Sequence, residues 1–164
     1  MSSIRTMGVS VTDVHTEALL PLGFEHTEPA STDDEGEKTW VYVQMTGSGA
    51  AQGDILMRVD AQPKSIGILA ATALHSRLRI LGIAQHVIAE NSYGFILRRG
   101  IGSVKCGDDA ALTVNAAFTT NGGTTAGRAL TFGDGAEESV IGFCLIATGV
   151  GAATAKNAYI NVGG

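Results

Sequence analysis

The chain has 164 residues, of which 45% are hydrophobic and only 16% are charged. This length suits one main domain whose core needs no metal or disulfide, and the low charge indicates a surface that meets other molecules. The formal net charge is −5, and no broad basic face is visible, which excludes free nucleic acid as an expected partner.

Most of the negative charge lies near the start of the chain. Residues 13–38 contain eight acidic side chains and one basic residue, Lys38, which gives this stretch a net charge of −7. Its short apolar pieces are interrupted by prolines and a glycine, and a polar run follows them. The polar run contains little that could be buried. We therefore predict that residues 1–38 form an extended acidic N-terminal arm and linker and not a core element, and that the body of the protein spans residues 39–164.

The expected compartment is cytosol-like. The start of the chain lacks the basic residues and apolar run of a secretory signal, and no segment has the ~18 consecutive apolar residues that cross a bilayer. Cys106 and Cys144 are far apart in sequence and have no CxxC spacing, so we predict that they fill small apolar spaces in the core. No membrane partner is expected.

From Trp40 onward the sequence consists of short runs rich in Val, Ile, Leu and aromatic residues, separated by Gly, Asn, Asp and Ser at the turns. About seven or eight short strands at this spacing predict an all-β fold, either a β-barrel or a β-sandwich. The predicted strand runs are TWVYVQM, GDILMRVD, RLRILGIAQHVI, GFILRRG, SVKC, RALTF, VIGFCLIATGV and AYINVGG.

At most two short helices are expected. The candidate segments are IGILAATALHSRL, residues 66–78, and DDAALTVNAA, residues 108–117. The second segment begins with Asp108 and Asp109, whose carboxylates favour the N-terminus of a helix.

The segment AQHVIAENSYGFILRRG, residues 84–100, predicts two extended runs around a polar tip. Asn91 and Gly94 suit a tight reversal, so the tip is interpreted as the corner of a hairpin and not as an active site. Its aromatic and basic residues can instead serve an interface, because Tyr and Arg are favoured interface anchors. The interface candidates in the chain are Trp40, Tyr42, Tyr93, Phe95, Arg98 and Arg99.

Two patterns that suggest ligand binding have simpler structural explanations. GSGAAQG, residues 47–53, precedes a predicted strand instead of a helix and lacks the following Lys and Ser/Thr of a phosphate loop, so it predicts a β-turn. The four histidines are scattered without the spacing of metal ligands. We therefore expect neither a metal site nor a cofactor.

Catalysis is not expected, and we predict that the protein is not an enzyme. The GxSxG motif is absent, and the closest Gly-flanked serine, Ser103, does not have the spacing of a nucleophile elbow. Paired carboxylates at 33–35 and 137–138 lie on predicted turns, where nothing favours acid–base work. One hydrolase arrangement stays open, a triad of Ser103, His86 and an aspartate.

Four elements follow one another in the body of the chain: WVYVQMTGSGAAQGDILMRVD, LGIAQHVIAENSYGFILRRG, VKCGDDAALTVNAAFTTNGGTTAG and VIGFCLIATGVGAATAKNAYINV. In this order they resemble a family of small tailed-bacteriophage capsid decoration proteins, also called cement proteins. Each element alone is a plausible hairpin, so the resemblance rests on their ordered succession, which covers roughly three quarters of the chain.

The resemblance implies a structural virion protein that binds the outer surface of an icosahedral capsid and stabilises it by clamping neighbouring major capsid protein subunits. Its implied partners are the major capsid protein and copies of itself, as a homotrimer in preference to a homodimer. The implied location is the outside of the virion, after assembly in the bacterial host cytoplasm. Repeated weak contacts suit such a clamp, because each contact raises the effective concentration for the next.

A second function class stays open on the residues alone. A β-sandwich with an exposed aromatic and basic rim could bind carbohydrate or a host surface as a module of a phage fibre or adhesin, since fold does not fix function. Binding on a glycan array would distinguish this class from a capsid clamp.

Overall fold

A computed structural model describes most of the chain. The described residues are 5–6, 8–30, 36–59, 65–70, 79–106, 111–120, 125–132, 140–147 and 155–162. Within these ranges the protein is all-β, as predicted, and it contains a closed five-stranded barrel with further strands.

Thirteen strands lie in the described ranges, more than the seven or eight predicted, because several are only two to four residues long. In chain order they are β1 (Arg5–Thr6), β2 (Val9–Ser10), β3 (Val14–His15), β4 (Glu25–Glu28), β5 (Lys38–Met45), β6 (Ile55–Arg58), β7 (Ile66–Leu69), β8 (Ile80–Ile83), β9 (Tyr93–Val104), β10 (Ala117–Thr120), β11 (Ala129–Thr131), β12 (Gly142–Cys144) and β13 (Lys156–Asn161).

Five strands close the barrel in the order β9, β8, β6, β7, β5 and back to β9. The β5–β7 pair is parallel and the other barrel pairs are antiparallel. Val43, Leu56, Leu81 and Ile96 come from four of these strands and are buried in one apolar cluster. Because they face one another across a closed sheet, this cluster is the barrel interior.

The barrel strands are also apolar on their outward face, and a second, larger cluster covers that face. Tyr42, Ile55 and Phe95 belong to it, and the Tyr42 and Phe95 rings meet edge to face with their centroids 5.1 Å apart. Strands that are buried on both faces read as continuous apolar runs, which explains why VYV and FIL occur in β5 and β9.

Strand β9 belongs to two sheets. Six of its first seven residues pair with β5, with a bulge at Arg98, and residues 99–104 pair with β13. From β13 the antiparallel sheet continues through β12 and β10 to β11, so this second sheet has five strands including β9. A parallel bridge between Cys106 and Ala129 connects its far strand to the chain just after β9.

An ion pair with little solvent exposure ties the second sheet to the barrel. Lys105 Nζ lies 3.0 Å from Asp54 Oδ1, and the two side chains are 14% and 10% exposed. The other carboxylate oxygen of Asp54 accepts a hydrogen bond from the Ala51 N–H at 2.9 Å, and the Lys105 N–H donates to the Gly53 carbonyl at 3.0 Å. The start of β6 is therefore fixed to the end of β9.

The prediction that residues 1–38 contribute nothing to the core is wrong. Val9, Val11 and Leu20 lie in the larger core cluster, and β4 pairs with β5 along its whole length. These apolar residues are isolated between polar ones, so their burial follows from tertiary packing that no local pattern reveals. The division of the chain into an arm and a body stays a prediction.

The two candidate helices are not helical where the structure describes them. Residues 66–69 form β7, and residues 111–116 form an irregular segment before β10. Residues 71–78 and 108–110 lie outside the described part of the chain. The β-branched side chains of Ile66 and Ile68 favour a strand, and pairing of β7 with both β5 and β6 outweighs the weak helical pattern.

We expect Asp54→Ala to lower the free energy of unfolding by about 3 kcal/mol, because it leaves the Lys105 ammonium buried without its partner. Asp54→Asn is the matched control, since it keeps an acceptor for the Ala51 N–H and removes only the charge. Urea unfolding measures both. The double variant Asp54→Leu with Lys105→Met should recover most of the loss, and an unchanged midpoint for Asp54→Asn would show that the charge pair contributes nothing.

Candidate interaction surface

The tip predicted within residues 84–100 is a tight turn. Asn91 adopts a φ of 58°, which Asn tolerates better than most residues, and the Ser92 N–H donates to the carbonyl three residues earlier at 3.2 Å. Gly94, which we also expected in the reversal, lies inside β9 instead. The segment is a corner that leads into β9.

Three of the six interface candidates are buried within the chain. Trp40, Tyr42 and Phe95 belong to the larger core cluster, and the Trp40 indole N–H donates to Glu28 Oε2 at 2.7 Å. Trp40 and Tyr42 are two residues apart on β5 and therefore lie on the same face, and this face packs against the rest of the chain. These side chains therefore present almost no surface to another molecule.

The other three candidates retain some exposure. The Tyr93 ring is half-buried and stacks on Tyr42 with a centroid distance of 6.3 Å. Arg98 forms an ion pair with Glu25, so its guanidinium already has an anionic partner within the chain. The Arg99 side chain is exposed and hydrogen-bonds to Tyr159, which raises the pKa of Arg99. That these residues serve an interface stays a prediction.

One line of side chains crosses all five strands of the second sheet. Tyr159 lies opposite Ile101 on one side and Phe143 on the other, and Phe143 lies opposite Ala117. The Phe132 N–H donates to the Ala117 carbonyl at 2.9 Å and continues the line. Residues that are directly opposite in antiparallel strands point to the same face. We call these five residues the outer row; in strand order they are Ile101, Tyr159, Phe143, Ala117 and Phe132.

The outer row is apolar and faces solvent. Phe143 is 48% exposed and Phe132 is 38% exposed. An antiparallel sheet with one solvated face normally carries polar residues on that face, and a contiguous exposed apolar area marks an interaction site. Further large apolar side chains exposed on the second sheet or its adjoining loops are Val114, Leu145 and Ile146.

A second exposed apolar area lies at the start of β9. Val14 pairs opposite Gly94, and the Leu19 N–H donates to the Tyr42 hydroxyl at 3.3 Å, beside the stacked Tyr93 ring. Leu19 is 52% exposed and Val14 is also exposed. We call Val14, Leu19 and Tyr93 the N-terminal surface.

Sequence reasoning missed both areas. The outer row depends on the register of five strands that are distant in sequence, and the N-terminal surface depends on the packing of short strands. One local signal was present: FCLI, residues 143–146, is apolar at consecutive positions. A strand with one face in the core needs apolar residues only at alternate positions, so this run indicated a second apolar face.

The hydrolase triad left open by the sequence is not assembled around His86. Both ring nitrogens of His86 are buried without a hydrogen-bond partner, so this ring does not hold the Ser103 hydroxyl. The Ser103 N–H donates to Gln85 Oε1 at 2.7 Å instead. Burial lowers the pKa of His86, and the nearby Asp13 charge partly opposes this shift.

The two cysteines are free, and both lie in the larger core cluster, as predicted for apolar fillers. Burial raises the pKa of the Cys144 thiol, with a smaller contribution in the same direction from the nearby Cys106. Cys144 Sγ also donates to the Ile146 carbonyl at 2.8 Å. Among the described residues, no group of three or more His, Cys, Asp and Glu side chains could hold a metal ion.

None of the described segments forms a helix with the length and apolar character needed to span a bilayer. In comparisons with known proteins, no family model, no curated protein and no solved structure matches the chain. The resemblance to capsid decoration proteins therefore stays a prediction.

The buried state of His86 predicts a pH-dependent stability. The pKa of His86 is lower in the folded state than in the unfolded chain, where it has the ordinary value of about 6.5. The contribution of neutral His86 to the free energy of unfolding is therefore complete above this ordinary value. It is lost as the pH falls through the pKa of the folded state. We expect urea midpoints measured between pH 7.5 and pH 5 to fall less for His86→Phe than for the wild type.

Asp13→Asn is the companion variant, since it removes the opposing charge and keeps an acceptor for the Ser10 N–H, which Asp13 Oδ2 binds at 2.9 Å. We expect the urea midpoint of this variant to fall more steeply than that of the wild type as the pH is lowered, because the pKa of His86 is then lowered further. Equal pH slopes for the wild type and His86→Phe would contradict this assignment.

Proposed function

We propose that this protein is a structural, non-enzymatic component of a tailed-phage virion that binds the outside of the icosahedral capsid and clamps neighbouring major capsid protein subunits. The observation that carries the proposal is that exposed apolar surfaces lie at both ends of one strand, β9. A clamp needs two contacts held at a fixed separation, and this arrangement provides them.

The spacing of the two surfaces suits bridging. Tyr93 at the N-terminal surface and Ile101 in the outer row are eight residues apart on β9, a length of up to about 26 Å along an extended strand. The barrel and the second sheet hold this strand on both sides. Because the separation is fixed in advance, a second contact forms with little further loss of entropy once the first has formed.

The two surfaces differ in charge, which favours different partners. Asp13 directly precedes Val14, and Glu17 lies between Val14 and Leu19 in sequence, so the N-terminal surface has an acidic border. The outer row contains no ionisable group except the Tyr159 phenol. A complementary partner for the N-terminal surface is apolar with a basic border. We assign the major capsid protein to this surface, on the outside of the virion.

Carbohydrate binding by a fibre or adhesin module is the alternative. The Phe143 and Tyr159 rings offer flat apolar faces on which a sugar could stack. Leu145 and Ile146 favour a protein partner, because branched aliphatic side chains have no such face, and exposed clusters of this kind are typical of protein interfaces. A glycan array with the intact protein tests the alternative directly.

The clamp is tested with expanded and unexpanded phage heads that lack this protein, prepared from the phage that encodes it. We expect the wild type to bind expanded heads and to raise their rupture temperature. Val14→Ser with Leu19→Ser should weaken binding at least roughly tenfold, since truncation of central interface residues commonly costs this much.

Val87→Ser is the matched control. Val87 is 68% exposed and lines a different groove with Ser48 and Leu69, so its replacement should leave head binding unchanged. The proposal fails if the wild type does not bind expanded heads, or if it binds them without changing their rupture temperature.

A further inference from the structure

We infer that the outer row is a self-association surface, through which two copies of the chain pack with their second sheets face to face about a two-fold axis. This deepens the proposed function by naming one of the two partners as a second copy. It also differs from the homotrimer expected from the resemblance, because the geometry favours a pair.

The outer row has one small side chain, Ala117, among four large ones. Ala117 lies between Phe132 and Phe143 in the register of the second sheet, and the two phenylalanine positions are two strand spacings apart, about 9.6 Å. The alanine methyl therefore leaves a hollow between two exposed rings. A third ring entering this hollow would give the interdigitated large and small packing of a protein core.

A two-fold axis supplies that third ring from a second copy. With the axis parallel to the strands and midway between Ala117 and Phe143, each Phe143 enters the Ala117 hollow of the other copy. Because strands are evenly spaced, the same operation places each Phe132 opposite Tyr159 of the other copy. Each contact is thus made twice, as an isologous interface requires.

Sheet packing supports the same arrangement. Two sheets with the same right-handed twist pack face to face with their strands nearly aligned, and a second copy has the same twist by definition. The outer row spans four strand spacings, about 19 Å, and the exposed Val114, Leu145 and Ile146 extend the apolar area along the chain.

The border of the outer row has the polarity of an interface rim. Arg99 hydrogen-bonds to Tyr159 at one end of the row. A groove of about 430 Å³ beside Ile101 is lined by the polar residues Lys38, Gln85, Ser103 and Asn157 and by the apolar Leu145 and Ile146. An apolar centre with a polar border is the usual anatomy of a protein interface, and apolar centres are most pronounced between identical subunits.

Sedimentation equilibrium on the full chain tests this inference. We expect the wild type to be a dimer at micromolar concentration, and Phe143→Ser to raise the dissociation constant at least roughly tenfold. Ala117→Leu is the discriminating variant: it makes the surface more apolar but fills the hollow, so it should also weaken the dimer at least roughly tenfold. Val87→Ser should dimerise like the wild type.

Two outcomes overturn the inference. One is a wild type that is monomeric at 100 µM, about a hundred times the micromolar concentration at which we expect the dimer. The other is a tighter dimer for Ala117→Leu, which would indicate unspecific apolar contact instead of ring insertion. Far-UV circular dichroism and thermal unfolding check that each variant is folded.

A crosslink tests the symmetry without depending on these variants. Phe132→Cys with Tyr159→Cys places two thiols three strand spacings apart in one chain, about 14 Å, which is too far for a disulfide. Under copper-phenanthroline oxidation the two-fold arrangement predicts covalent dimers on a non-reducing gel, and each single replacement should crosslink poorly. Covalent trimers, a ladder of larger species or no crosslink would contradict the two-fold pair.

Both experiments are made without phage heads, so dimerisation and shell binding can fail separately. A dimer that does not bind expanded heads would leave the self-association surface intact and remove the clamp. A monomer that binds and stabilises heads would leave the clamp intact and remove the self-association surface.

Discussion

The shared strand β9 is the constraint on which the rest of the structure depends. Its first half closes the barrel against β5, and its second half begins the second sheet against β13. Gly100 stands where the two halves meet, with a φ of 115°, and a side-chain carbon there would lie 2.7 Å from the Glu37 carbonyl oxygen. Only glycine allows the strand to pass this close to β5 and then join another sheet.

This shared strand sets the relative positions of the two exposed apolar surfaces. The barrel interior and the larger core cluster hold β9 from both sides, so its two ends cannot move independently without breaking the core. The N-terminal surface and the outer row are therefore fixed relative to each other, and their different borders suit different partners. If the outer row joins two copies, each pair presents two N-terminal surfaces to a shell, and avidity multiplies a modest contact.

The sequence predicts the fold class and many of the strands because their signals are local. TWVYVQM and GDILMRVD alternate or are continuously apolar between turn residues, and they form β5 and β6. Strand β7 and the burial of Val9 and Leu20 depend on distant partners, so local patterns do not reveal them. The same limit applies to the site. Residue type makes Tyr42 and Phe95 interface candidates, but only the tertiary fold decides that these side chains are covered and that the outer row is exposed.

A cryo-electron microscopy reconstruction of expanded heads decorated with this protein tests the central claim most directly. We expect density in which the N-terminal surface contacts the major capsid protein and the second sheets of paired copies face each other away from the shell. Density with the outer row pressed against the capsid, or with isolated copies whose second sheets face solvent, would contradict the proposal.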